Sequence, residues 1–531
     1  MTETTSESAF PNAQRLLWAG FMAILAAGVG FSLRGGVLGL WAVEFGFTMT
    51  ELGAITGGGL TGFGIVIILS SLIADKVGYG RLMMLAFLLH AVSAFITLAA
   101  PAAFEAGGKA GAYNCLFWGM FIFAVANGLA EAVVNPLTAT LFPKNKTHYL
   151  NILHAGWPAG LVIGGLASAF MAAQENEAGD VIQQAVDWKI QMSLFLIPVI
   201  IYGGMLFGQK FPQSEAASAG TTLGEMIGTV FAPLMLFLLV IHAMVGYVEL
   251  GTDSWIAKIT GSIMESEAKG MALFVYTSTL MFALRFVAGP IVHRISPLGL
   301  LFVSSILGFI GLTLLSSAQG AIICIVAATV YACGKTFLWP TMLGVASERF
   351  PKGGAVAIGM LGGVGMLSAG LLGGPAIGFK QDYYASQELE AKDAETFKRY
   401  QADNESRFMN FKTVGLDGAK VGVLSDNGKE LARVNTLLEE EGKTDENQTM
   451  LTNWWKSAST HAEVDKPLVE GAGLFGGRMA LKLTSYVPLI MAVCYLALII
   501  GFKVTGGYKA VHLDEQPDLP NEPEALGTGE S

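Results

Sequence analysis

Along most of the chain, polar residues are only punctuation between apolar runs long enough to cross a bilayer. About 20 apolar residues span the hydrocarbon core. Twelve runs reach that length, near 16–43, 51–74, 82–104, 112–141, 148–173, 186–208, 227–257, 268–293, 298–317, 320–347, 354–379 and 483–503. In lipid each segment must satisfy its own backbone groups, so all twelve are predicted to be α-helices. The pattern is interrupted once, between the eleventh and twelfth runs. The predicted organisation is a tail (1–15), a six-helix half (16–208), a central loop (209–226), helices 7–11 of a second half (227–379), a polar insert (380–482), helix 12 (483–503) and a disordered tail (504–531). Stretches of the insert such as SQELEAKDAETFKRYQADNESRF carry helical charge patterning, which predicts two or three short helices capping one face.

Composition agrees with an all-α membrane protein. Of 531 residues 53% are hydrophobic and 14% charged, with mean hydropathy +0.53; soluble chains carry roughly 25% charged residues. The net charge of −10 lies largely in the insert and the acidic C-terminal tail, so nucleic acid is not an expected partner. Cys115, Cys324, Cys333 and Cys494 all fall in apolar runs without ligand spacing, and neither disulfides nor a metal site are expected. The opening MTETTSESAFPNAQR lacks a basic n-region and reads as a cytosolic tail. With that end inside, eleven Lys or Arg fall on the cytosolic side and four in the short outer loops. This places both termini in the cytosol of a plasma (inner) membrane and the insert outside.

The punctuation repeats. SSLIADKVGYGR after helix 2 and GPIVHRISP after helix 8 put a charged turn at the same place in each half. A shift of 204 residues brings Pro136 onto Pro340 and Glu131 onto Lys335, and Arg34 in helix 1 is set against Glu249 in helix 7. Two pseudo-symmetric six-helix halves with a site between them would produce this. Ionisable groups inside membrane helices are costly, hence paired or functional. Arg34, Glu131, Glu249, Lys335 and Arg285 are mid-span, with Asp253 nearer the outer end of helix 7. Their signs suggest Arg34 with Glu131 and Glu249 with Lys335. Such pairs can be structural bridges, a proton site on Glu131, or a carboxylate clamp of Arg34 and Lys335. Arg285 leans toward a structural role. Trp157, Trp255 and Trp339 lie on or beside cavity helices, with Trp339 the best stacking candidate; His90 and His242 read as packing.

These features resemble the major facilitator superfamily. The family's loop between helices 2 and 3 is matched by Asp75, Lys76 and Gly78, with the basic end at Arg81 and Ser71 at the first glycine position. A narrower resemblance is to the fucose–galactose–proton symporter family, carried by GLAEAVVNP in helix 4, YLNILHAGW in helix 5, GYVELGTDSW in helix 7 and WPTMLGVASERFPKGGAVAIGMLGGVG in helices 10–11. Helix 1 departs from it, with Arg34 in SLRGGVLG and no acid. The resemblance implies alternating access, no cofactor beyond a proton as coupling ion, no enzymatic activity and a monomer in the bilayer. It implies that Glu131 is the substrate- and proton-linked acid and that Asn135, Asn151 and His154 sit near a sugar. The wider expected site adds Arg34, Trp157, Glu249, Asp253, Lys335 and Trp339. Asp75, Lys76, Arg81, His293 and Arg294 form an expected cytosolic gate. The expected function is proton-coupled uptake of a sugar or sugar-like solute. An organic-anion carrier, for a uronate or other carboxylate, is the alternative, and a non-transporting sensor ranks below it.

Overall fold

The computed structural model describes residues 10–47, 49–57, 59–172, 174–175, 181–183, 185–440, 446–511 and 513. Among the described residues eleven helices are long and apolar enough to cross a membrane, and twelve when Glu267–Arg285 and Ala288–Ile295, bent by 63°, count as one broken span. The first half comprises helix 1 (Ala13–Phe45), helix 2 (Met49–Gly57 and Gly59–Val77), helix 3 (Tyr79–Leu98), helix 4 (Ala100–Leu141), helix 5 (Lys146–His154 and Gly156–Met171) and helix 6 (Trp188–Ser193 and Leu196–Leu206). The second comprises helix 7 (Pro233–Gly246 and Thr252–Ile263), the broken helix 8, helix 9 (Pro297–Ser317), helix 10 (Gly320–Lys335 and Leu338–Arg349), helix 11 (Gly354–Ser368 and Gly374–Lys392) and helix 12 (Ala462–Val504).

Helix packing follows the small residues. Without a hydrophobic drive between helices in lipid, close backbone approach supplies the contact. Gly156, Gly160 and Gly164 line one face of helix 5 against helix 1, where a methyl group added at Gly164 would stand 2.8 Å from Ser32 Cβ. Helices 7 and 11 repeat the arrangement in the second half, Gly246 meeting Gly365 and Gly251 meeting Gly373. The halves join through helix 2 on helix 11 and helix 5 on helix 8. At the first of these joints a methyl at Gly64 would reach the Gly363 carbonyl oxygen at 2.8 Å. Helices 7 and 11 each carry one π-helical turn, Tyr247–Gly251 and Ala369–Gly373, and the two turns pack on each other. Such turns insert one residue into the ladder and re-aim the side chains that follow.

Both tails are more tied down than composition suggests. Asn12 Nδ2 donates to the Lys210 carbonyl (3.0 Å) and Arg15 Nε to that of Met205 (2.8 Å). Past helix 12, Tyr508 donates to Glu348 (2.7 Å), and the Val511 N–H donates to the Glu348 carbonyl (2.8 Å). The expected disorder of 504–531 therefore fails for 505–511, which is held on the end of helix 10; residues 514–531 lie outside the described residues.

The insert differs most from expectation. Helices 11 and 12 run on past their apolar parts and pack together as a stalk. On it sit four short helices (Ala394–Tyr400, Gly418–Ser425, Lys429–Glu440 and Glu446–Ala458) and an antiparallel hairpin of Gln401–Phe408 with Phe411–Leu416. The hairpin leans on helix 11, where Ser406 Oγ donates to Asp382 Oδ2 (3.1 Å). Leu389, Phe397, Tyr400, Leu424 and Val469 form a separate small core. Arg399 locks it by a two-pronged pair with Asp465 (2.9 and 2.6 Å), whose side chain is fully buried. These hydrogen bonds hold the Arg399 guanidinium above its ordinary pKa. Arg399→Met would leave Asp465 buried without its cation. A loss of about 2 kcal/mol is expected, discounted because Arg399 is partly exposed. Hydrogen exchange confined to 394–470 would read it; unchanged protection there would contradict the locking role.

Candidate functional site

Two polar clusters lie along the seam between the halves, and a third lies within the first half. The first surrounds Glu131, on the helix 4 face turned to the second half. It is 6% exposed, and its Oε1 makes no hydrogen bond. Asn135 and the Trp339 indole stand against it. Trp339 packs on His242 with ring centroids 4.6 Å apart. His154 Nε2 pairs with Asn135 Oδ1 at 2.8 Å, and Asn151 Nδ2 donates across the seam to Thr341 Oγ1 at 3.2 Å. Helices 4, 5, 7 and 10 thus converge on one carboxylate with no basic partner among the described residues.

The second cluster is built by two prolines. A helical proline has no N–H for the carbonyl four residues earlier, and its ring clashes there. Pro158 therefore frees the carbonyl of His154, and helix 5 breaks at Ala155. Pro340 frees that of Thr336, and helix 10 breaks at 336–337. Arg285 takes both: Nη1 donates to His154 O (2.5 Å) and Nε to Thr336 O (2.9 Å), while Nη2 reaches Glu249 Oε1 (3.0 Å). One guanidinium, 1% exposed, thereby joins helices 5, 7, 8 and 10 and ties the halves together. A planar fork with five donors suits three separate acceptors, as an ammonium does not. Beside it Lys335 is paired with Asp253 and lies 5.4 Å over the Tyr331 ring. Two acids and two bases balance in one buried group.

The third cluster is a small recess between helices 1, 2, 4 and 5, lined by Phe31, Arg34, Phe63, Phe123, Asn127 and Trp157 among others. Arg34 is 7% exposed, with its guanidinium carbon 4.9 Å over the Phe123 ring. Phe31 and Trp157 lie 5.6 Å apart, ring to ring.

The expected pairings are corrected on both sides. Arg34 does not meet Glu131: it sits at the level of Phe123, eight residues and about 12 Å of helix rise away. Nor does it match Glu249 in depth, since Arg34 lies 21 residues into its helix and Glu249 lies 16 past Pro233. Glu249 pairs with Arg285 and Lys335 with Asp253, so Lys335 is not free to clamp a carboxylate with Arg34. Among the expected gate residues only Asp75 reaches the other half, its Oδ2 3.2 Å from the methyl position of Gly354 at the start of helix 11. Lys76, Arg81, His293 and Arg294 are exposed.

The end of the seam that carries the termini is instead closed by side chains the sequence reading passed over. Lys146 Nζ donates to Glu215 (2.7 Å) and to the Ser347 carbonyl (3.4 Å). Thr147 donates to Glu348 (2.7 Å), and His148 Nδ1 accepts from the Gly289 N–H (3.1 Å). A signal existed: Phe-Pro-Lys follows both helix 4 (Phe142) and helix 10 (Phe350).

The family profile described as Major Facilitator Superfamily matches residues 20–374, two thirds of the chain. The chain belongs to the major facilitator superfamily. It is an integral, multi-pass membrane transporter of that fold. Among solved structures, the transporter FucP in an outward conformation is 16% identical, with a TM-score of 0.55, 68% of this chain covered and 91% of that one. A mutant of the transporter XylE gives 11%, 0.60, 95% and 98%. The human organic anion transporter TETRAN gives 11%, 0.57, 92% and 100%. At these identities the likeness shows the fold alone. No curated protein sequence matches the chain. The superfamily match stops at residue 374, before the insert and helix 12.

Proposed function

We propose that this superfamily member is a proton-coupled symporter for a small sugar or sugar-like solute, with both termini in the cytosol. The observation that carries the reading is Glu131, a buried carboxylate at the seam with no basic partner among the described residues. A buried carboxylate without a cation is favoured in its neutral form. Opening of the seam to either side would change its solvation and let it bind or release a proton there. Asn135, Asn151, His154 and Trp339 around it supply hydrogen bonds and an aromatic face for a hydroxylated ring. Two fold neighbours are described as proton symporters, of fucose and of xylose, which accords with the reading.

An organic-anion carrier is the second reading, and one observation favours it: Arg34 has no acidic partner among the described residues. Proteoliposomes with an inward proton gradient test the first. Glu131→Gln is expected to lose gradient-driven accumulation by at least tenfold while keeping counterflow exchange. Accumulation that ignores pH, or survives Glu131→Gln, would sink the proton role.

A further inference from the structure

Behind the recess of helices 1, 2, 4 and 5 runs a buried relay that fixes which atoms face into it. Tyr202 OH lies 2.7 Å from His90 Nδ1, and His90 Nε2 lies 2.8 Å from Asn127 Oδ1. His90 and Tyr202 are fully buried. Two proton arrangements fit these distances. If His90 carried its proton on Nδ1, the Tyr202 oxygen would accept it, and the phenol proton would need another acceptor; none is in reach among the described residues. A buried donor left unmade costs its full desolvation. If the proton is on Nε2, Tyr202 donates to Nδ1, His90 donates to Asn127 Oδ1, and every buried donor is used. The second arrangement wins. It pins the oxygen of Asn127 backward and turns its two N–H donors toward the recess that Asn127 lines.

Arg34 enters the same recess from helix 1. Its Nε makes no hydrogen bond and no acid pairs with it among the described residues. The recess therefore holds one uncompensated cation and a carboxamide fixed as a donor, walled by the rings of Phe31, Phe63, Phe123 and Trp157. Converging donors of this kind suit an oxyanion. One positive charge balances a monoanion and leaves a phosphate dianion unbalanced. A neutral sugar has no need of a desolvated guanidinium and would leave it unpaired.

We propose that this recess is a carboxylate subsite, in which Arg34 and the Asn127 amide bind the carboxylate of a monoanionic solute whose ring lies among the aromatic side chains. A uronic acid or an aromatic carboxylate fits that chemistry. The inference rests on the chain being a solute carrier, and equilibrium binding separates the two, since it needs no transport.

The test uses the full chain in lipid nanodiscs, with glucuronate and benzoate as probes and glucose and benzamide as their neutral counterparts. The expected result is at least tenfold tighter binding of one acid than of its neutral partner. Arg34→Gln should remove that preference, and Arg34→Lys should keep part of it. Asn127→Asp is the sharper variant, because it still accepts from His90, and so keeps the relay, but gives Arg34 an internal carboxylate. It should abolish acid binding. Equal binding of acids and neutral partners, no binding of either acid, or acid binding unmoved by Arg34→Gln and Asn127→Asp would each overturn the subsite. Proton-driven uptake of glucose alone would overturn it while leaving the carrier reading intact.

Discussion

Replacing Arg285 with methionine is expected to cost on the order of 5 kcal/mol and to abolish transport. The change strands Glu249 as a buried charge, which costs about 3–5 kcal/mol where a buried pair is broken. It also leaves two carbonyls without donors, at about 1–3 kcal/mol each, and these penalties are not additive. Arg285→Lys should rescue little, because an ammonium cannot span three acceptors held by three helices. The link has a second handle that leaves Arg285 untouched. Pro158→Ala restores an N–H at 158 and lets helix 5 use the His154 carbonyl itself. The tie between the halves then weakens by about one hydrogen bond, ~1 kcal/mol, a several-fold shift of population away from the state closed at the terminal end. Spin-label distances across Lys144 and Lys352 would read it. An unchanged distance distribution in Pro158→Ala would mean that the Arg285 bridge does not set the conformational balance. Thermal stability of Arg285→Met in detergent checks the energetic part.

The second large effect concerns Lys335. Lys335→Met should destabilise the second half by about 3–5 kcal/mol, because Asp253 and Glu249 would then share one guanidinium. Replacing the whole pair is a different experiment. Lys335→Met with Asp253→Leu removes both charges, and such replacements are often neutral or stabilising. Recovery of both stability and counterflow exchange is expected, since Lys335 is satisfied within its own half. Recovered stability with transport still absent would assign the pair to the solute or the proton instead.

Much of this was legible in one dimension. Length and apolarity fix a span, so all twelve runs correspond to helices or helix pairs, with edges displaced mainly where helices continue beyond the apolar stretch, as helix 12 does from Ala462. The mid-span charges were equally plain. Their partners were not, because pairing depends on depth, and depth on where each antiparallel helix begins. Glu131 lies ten residues from the end of helix 4, whereas Arg34 lies 21 from the start of helix 1. Pro158 and Pro340 stand in the sequence for anyone to see, but that one arginine collects both freed carbonyls is a fact of tertiary packing. The hairpin was hidden for a related reason. QADNESRF carries no apolar alternation, and its strand is set by leaning on the extended helix 11. Asn127 looked like one polar residue in an apolar run; only the His90 and Tyr202 contacts give it a direction.

The insert is fused to helices 11 and 12, both of the second half, and its stalk has a mechanical meaning. The segment Gly374–Lys392 is 19 residues, an arm of about 28 Å. When the halves rock, the insert must swing with the second half as the far end of a lever. A tilt of about 10° at the bilayer moves its tip by roughly 5 Å over such an arm. A rotation too small to notice among the packed helices becomes a displacement that a bound antibody fragment or a fluorophore on the tip could follow in real time.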